Sequence, residues 1–240
     1  MRDPVRSRTL LLAPALFALL AAAASAGETI SENRQIGDFS GIEVSGGYTI
    51  RLSQDSTVSL RLEGDKDDLA KIVTKVVDNK LVIKHKPGIR LFSFDRDDVT
   101  VHLGFRDIET IKLSGANKLT GQEPLRFRDL KIGISGSGEV LMDVDAAAIA
   151  TEVSGSGEIE LKGKADILAA DVSGSGDIKC LGLKVKKAAL EISGAGEARL
   201  DVSDELSVDI SGSGEVTYRG NPAKVDQHVS GSGAIKKIIE

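Results

Sequence analysis

Asp171-Val172-Ser173-Gly174-Ser175-Gly176-Asp177-Ile178 is the stretch on which the fold turns. Extended by a few residues each way, it alternates with period two, as a half-buried strand does. Leu168, Ala170, Val172, Gly174, Gly176, Ile178 and Cys180 share one parity, while Ala169, Asp171, Ser173, Ser175, Asp177 and Lys179 share the other. The first set is expected to face a core and the second solvent. The same string recurs as Ser114-Gly115-Ala116-Asn117, Ser135-Gly136-Ser137-Gly138, Ser154-Gly155-Ser156-Gly157, Ser193-Gly194-Ala195-Gly196, Ser211-Gly212-Ser213-Gly214 and Ser230-Gly231-Ser232-Gly233. Successive copies are 21, 19, 19, 20, 18 and 19 residues apart. A flexible Gly/Ser linker keeps no such register.

A period near 19 residues is one winding of a β-solenoid. Helical repeats show apolar spacings of three and four and do not carry two mid-element glycines, at roughly 1 kcal/mol each. A propeller blade needs about 40 residues or more. In a solenoid, equivalent positions lie over one another ~4.8 Å apart, which is why the sequence repeats at all. Both glycines of each copy are expected to face inward, where the winding narrows.

The chain has 240 residues, 3% aromatics, no Trp and one Cys, so the core must be aliphatic and no internal disulfide can form. Formal charge is −5 with no basic run, which argues against nucleic acid as a partner. Residues 1–26 have the form of a signal peptide: Arg2, Arg6 and Arg8, an apolar run from Leu10 to Ala24, then Ala24-Ser25-Ala26. The remainder, 27–240, is expected to be a single β-helix domain, with no membrane span, exported to the periplasm or the cell surface. Residues 111–240 would form the regular repeats and 28–110 less regular coils, a separate capping unit being the alternative. Within that first part, strands are expected at Ile42–Ser53, Val58–Glu63, Ile72–Val77, Lys80–Lys84 and Val99–Leu103. A short helical turn is expected over Asp65–Ala70, a tight turn at Asp78-Asn79, and a loop over Pro87–Asp98.

The Ser-Gly-Ser-Gly-acid-Ile/Val unit, the opening Phe39-Ser40-Gly41-Ile42-Glu43-Val44, the stretch Gly64–Lys84 and Tyr218-Arg219-Gly220-Asn221-Pro222 together resemble the autotransporter adhesin head, or GIN, domain family. The resemblance spans about residues 36–240. It implies an all-β fold, a right-handed parallel β-helix, in exported bacterial proteins without an assigned activity. No translocator barrel follows here, which leaves the periplasm as open as the surface.

Chemistry-bearing motifs are few. His85, His102 and His228 lack ligand spacing, and Cys180 lies on the inward parity. No Gly-x-Ser-x-Gly elbow or phosphate loop is present. No catalytic, cofactor-binding or committed metal residue is therefore assigned. What stands out is two outward columns of carboxylates. Glu139, Glu158, Asp177, Glu197 and Glu215 follow each first Ser by four residues, and Glu152, Asp171, Glu191 and Asp209 precede it by two. Stacked at ~4.8 Å, like charges repel by roughly 0.9 kcal/mol per pair even in water. Such columns should raise carboxylate pKa values or attract cations, Ca2+ or the amines of a polymer. The other reading is a solvated face partly neutralised by Lys179, Arg199 and Lys236. These features suggest a non-enzymatic, adhesin-like interaction module for glycans or envelope and surface proteins. A carbohydrate-active β-helix lyase or hydrolase and a periplasmic envelope accessory are the alternatives. Ala234-Ile235-Lys236-Lys237 is expected to blunt the last sheet edge with its lysines.

Overall fold

The computed structural model describes residues 29–87 and 99–239. The signal-like segment, and all of the 87–98 loop but Pro87, lie outside the described residues. Seventeen strands and one short helix follow in order: β1 (Thr29–Asn33), β2 (Gly41–Gly46), β3 (Thr49–Gln54), β4 (Ser59–Asp65), α1 (Lys66–Lys71), β5 (Ile72–Val77), β6 (Lys80–His85), β7 (Thr100–Phe105) and β8 (Thr110–Gly115). Then come β9 (Lys118–Gly121), β10 (Leu125–Gly136), β11 (Glu139–Gly155), β12 (Glu158–Gly174), β13 (Asp177–Gly194), β14 (Glu197–Gly212), β15 (Glu215–Arg219), β16 (Lys224–Gly231) and β17 (Ala234–Lys237).

From β8 onward the fold is a parallel β-solenoid. Two ladders meet at the Ser-Gly corner of every winding. Before the corner, β8, β10, β11, β12, β13, β14 and β16 pair in parallel. After it, β9, β11, β12, β13, β14, β15 and β17 do the same. Ser114, Ser135, Ser154, Ser173, Ser193, Ser211 and Ser230 fall in one vertical register. Inside, Ile134, Val153, Val172, Ile192 and Ile210 stack in one column, and Val140, Ile159, Ile178, Ala198 and Val216 in another, all buried. Burying one such Val or Ile contributes about 1.5–3 kcal/mol, so a thin aliphatic core suffices when every winding repeats it.

The uneven repeat lengths are absorbed away from the corner. Register shifts fall between Glu160 and Lys162, between Cys180 and Lys184, and between Val185 and Lys187, on the far bend. The Ser-Gly corner itself keeps one geometry throughout.

The two glycines of that corner do different things, which corrects the expectation that both face inward. Gly176, the second, is buried, and a Cβ there would collide with the Val153 side chain of the winding below. Gly174, the first, has φ +125°, and its Cβ would lie 2.6 Å from the carbonyl oxygen of Gly155. That Cβ would therefore point along the stack rather than into the core. The carbonyl it would strike accepts a hydrogen bond from the Ser175 amide at 2.8 Å, and the Asp177 amide donates to the Gly157 carbonyl at 2.9 Å. The backbone ladder thus runs unbroken around the corner, and it leaves no space for a side chain at the first glycine.

The first part of the chain departs from coils stacked in chain order. β2 pairs in parallel with both β6 and β8, and β3 with both β7 and β9. The winding made by β2 and β3 is therefore second in the stack; β6 and β7, later in sequence, form the first. The expected strand Ile42–Ser53 is in fact two strands around a corner. Ser45-Gly46-Gly47-Tyr48 is an eighth copy of the repeat, with Ser45 in register with Ser114 and Tyr48 in the place of the second glycine. Asn117 is buried beside it; its Oδ1 accepts from the Tyr48 amide (3.1 Å) and its Nδ2 donates to the Ser114 carbonyl (2.8 Å).

Antiparallel pieces close this end. β4 pairs antiparallel with β7, β1 with β4, and β5 with β6. The Asp78-Asn79 turn joining β5 to β6 has φ of 48° and 61°, the left-handed pair that a two-residue hairpin needs. The expected helical turn is α1, with Asp65 as its N-cap accepting from the Asp67 amide. These strands cover the first winding's edge.

Candidate functional site

Both carboxylate columns are vertical. Glu139, Glu158, Asp177, Glu197 and Glu215 are direct register partners in succession, with Lys118 before them and Ala234 after. Glu152, Asp171, Glu191 and Asp209 likewise succeed one another, followed by His228. The stacked repeats place each set on one face because the Ser-Gly corner fixes the register between them.

The environments of the two columns differ. The first is half-buried beside the corner and stitched to basic side chains. Lys118 lies 2.9 Å from Glu139, Lys179 2.6 Å from Glu158, Arg199 2.7 Å from Glu197, and Lys236 2.9 Å from Glu215. The hydrogen bond and charge of Lys236 hold the Glu215 carboxyl below the usual carboxylate range, the opposite of the rise that stacked acids alone suggest. Glu158 in turn pushes the Lys179 ammonium up. At Glu215 the neighbouring lysine outweighs the repulsion from the stacked carboxylates.

The second column is exposed. Glu152 has Lys131 at 3.6 Å, and Asp171 accepts only from the Ser173 hydroxyl, at 3.4 Å. Glu191 and Asp209 have neither ion-pair nor hydrogen-bond partner among the described residues. On one side of this column runs the exposed serine column. On the other run Ala150, Ala169, Ala189 and Ser207, in register with Lys131 before them and Asp226 after. Alanine, acid and serine thus make a flat strip with short walls, slightly hollowed along Lys131, Thr151, Ala169, Asp171, Ala189 and Glu191. Its chemistry is that of a single file of carboxylates flanked by hydroxyls. Among the described residues no three His, Cys, Asp or Glu side chains converge in a metal-binding cluster.

A larger groove follows the far bend, floored by Phe127, Ala146, Ala165 and Val185. Its acids are all engaged: Asp145 with Lys164 (3.1 Å), Asp166 with Lys186 (2.7 Å) and Asp201 with Arg219 (2.6 Å). A polar hollow, not legible in the sequence, opens where residues 33–36 cross the outer face of β3 and β7. It is lined by Arg34, Arg51, Arg61 and His102, and His102 pairs with Glu63 at 3.1 Å. Chain crossing created it, and no local motif announces that. His85 packs against Tyr48 with ring centroids 5.5 Å apart, His228 ends the exposed acid column, and the three histidines stay separate. Cys180 is buried in the core, which pushes its thiol up to about 12. No helix among the described residues is long and apolar enough to cross a membrane.

Comparison with known proteins adds a family and a set of similar folds. Residues 38–222 match the family described as "Putative auto-transporter adhesin, head GIN domain". The structure of a putative adhesin from Bacteroides fragilis is similar with a TM-score of 0.81 at 20% identity, covering 88% of this chain and 97% of that one. A putative adhesin from Parabacteroides distasonis gives 0.72 at 21% identity, over 89% and 98%. A putative lipid binding protein from the same organism gives 0.70 at 24%, also over 89% and 98%. At these identities the likeness is one of fold. No curated protein matches the chain.

Proposed function

Starting from the chain's membership of the auto-transporter adhesin head GIN domain family, we propose that it is a non-enzymatic, exported interaction module. Its binding surface is the exposed Ala–acid–Ser strip. The observation that carries this reading is the column Glu152, Asp171, Glu191 and Asp209, unbroken in register while half of it has no ion-pair or hydrogen-bond partner among the described residues. Charges left unpaired at ~4.8 Å intervals raise the local negative potential, and a polymer bearing periodic amines or hydroxyls lowers it. Short alanine and serine side chains let such a chain lie flat along the stack. An amino-sugar glycan, or a lysine-bearing segment of an envelope protein, fits that chemistry. Ca2+ bridging successive carboxylates is the simplest cation reading. The pairing of every acid in the larger groove with Lys or Arg favours binding over carbohydrate cleavage, which needs two carboxyls free to exchange protons.

Titration calorimetry with CaCl2 and with a glucosamine oligomer tests the reading. We expect saturable heat with the oligomer, lost in Asp171→Asn/Glu191→Gln/Asp209→Asn while the melting temperature is kept. No heat from either titrant, or equal heat from the triple variant, would remove the strip from the account.

A further inference from the structure

The two ends of the solenoid are unlike. At the first winding, β1, β4 and β5 cover the edge with antiparallel pairing. At the other end nothing among the described residues lies beyond β16, all of whose residues are exposed. Its inward positions continue the core columns. Val225 lies under Leu206, and Val229 under Ile210, yet these valines are 42% and 40% exposed. Between them Gln227 continues the column of Val208. An edge strand of this kind presents free amides and carbonyls together with an open slice of core.

The neighbouring edge strand is protected and β16 is not. On β17, Lys237 takes the inward position under Tyr218 and its Nζ donates to the Asn221 side chain at 2.9 Å. Lys236 turns back to Glu215 of the previous winding. Those lysines leave the β16 half of the end uncharged on its core side.

We propose that this end is covered by a second copy of the same chain, joined through antiparallel pairing of β16 with β16 about a two-fold axis at Gln227. The sequence of β16 is self-complementary in that register. Val225 faces Val229 of the other copy, which extends both cores across the junction. Asp226 faces His228, and an imidazole N–H can donate to the carboxylate. Lys224 faces Ser230, so no like charges meet directly. Gln227 faces itself, where two side-chain amides can exchange hydrogen bonds. A two-fold contact repeats every favourable pair twice, and it closes as a dimer instead of growing into a fibre. Two stacks joined in this way would carry the acid columns of both copies on one face, offset from each other by two residues along the strands.

Sedimentation velocity on the exported chain at about 1–100 µM is the test. Wild type should sediment as a dimer at the upper end of this range. His228→Asp sets Asp against Asp twice and should weaken association roughly tenfold. Asp226→His/His228→Asp restores the complementarity in this register and should restore association. Circular dichroism and melting temperature confirm that each variant is folded; both positions are exposed, so neither substitution touches the core. A wild-type monomer at about 100 µM would overturn the proposal. So would a double variant no better than His228→Asp, or a His228→Asp variant that associates as wild type does.

Discussion

Gly174 shows how narrowly one residue can be constrained by stacking. Its φ of +125° is costly for an L side chain, and the Gly155 carbonyl occupies the direction a Cβ would take. Gly133 is a useful contrast: its nearest neighbour to an added Cβ is the Lys112 side chain at 3.8 Å, and its φ is not positive. Gly174→Ala should cost at least about 2 kcal/mol. Gly133→Ala should be neutral or slightly stabilising, since it trims the freedom of the unfolded chain. Urea unfolding midpoints of the two variants check this, and similar midpoints would mean the corner is looser than described. That glycines were required could be read from the repeat. Which way each missing Cβ points could not, because alternation in sequence distinguishes only two directions and the first glycine faces a third, along the stack.

Among elements, ion pairs between neighbouring windings set the response to pH. Glu215, Glu205 and Glu43 are held below the ordinary carboxylate range by hydrogen bonds from Lys236, Lys224 and Lys80. Glu63 is held there by His102. Each therefore contributes stability above the unfolded value of 4.5 that is lost as pH falls through the lower folded value. Lys80, Lys179 and Lys224 are raised by their acid partners, so their contribution is intact below 10.5 and fades only at higher pH. The urea midpoint should be level between about pH 6 and 9 and fall below about 4.5. A midpoint that rises on acidification would show that carboxylate repulsion, and not pairing, dominates among these groups. The hairpin at Asp78-Asn79 and the cap at Asp65 were legible because turn and cap chemistry is local. The placement of β2 between β6 and β8 was not, since a strand's pattern records which face is buried and not which neighbour it pairs with.

For the molecule as a whole, the repeat spacing carried most of the architecture. Once copies recur every 18 to 21 residues, parallel stacking, an aliphatic interior and vertical outer columns follow from pairing geometry alone. The candidate strip was legible as a list of positions. So were the neutralising Lys179, Arg199 and Lys236; that they serve one acid column and leave the other bare was not, because that depends on where each side chain reaches. The covered first end came from the non-sequential winding and from the antiparallel strands, neither of which leaves a periodic trace. Strip, core columns and open end all require equivalent serines to stand over one another. Spin labels at Ser114 and Ser211, in a Cys180→Ala background, measure that directly by pulsed dipolar spectroscopy. Five strand spacings separate these positions in register, so a single narrow distribution centred near ~24 Å is expected. A broad distribution, or a centre above about 35 Å, would contradict the stack on which the strip and the joined ends both depend.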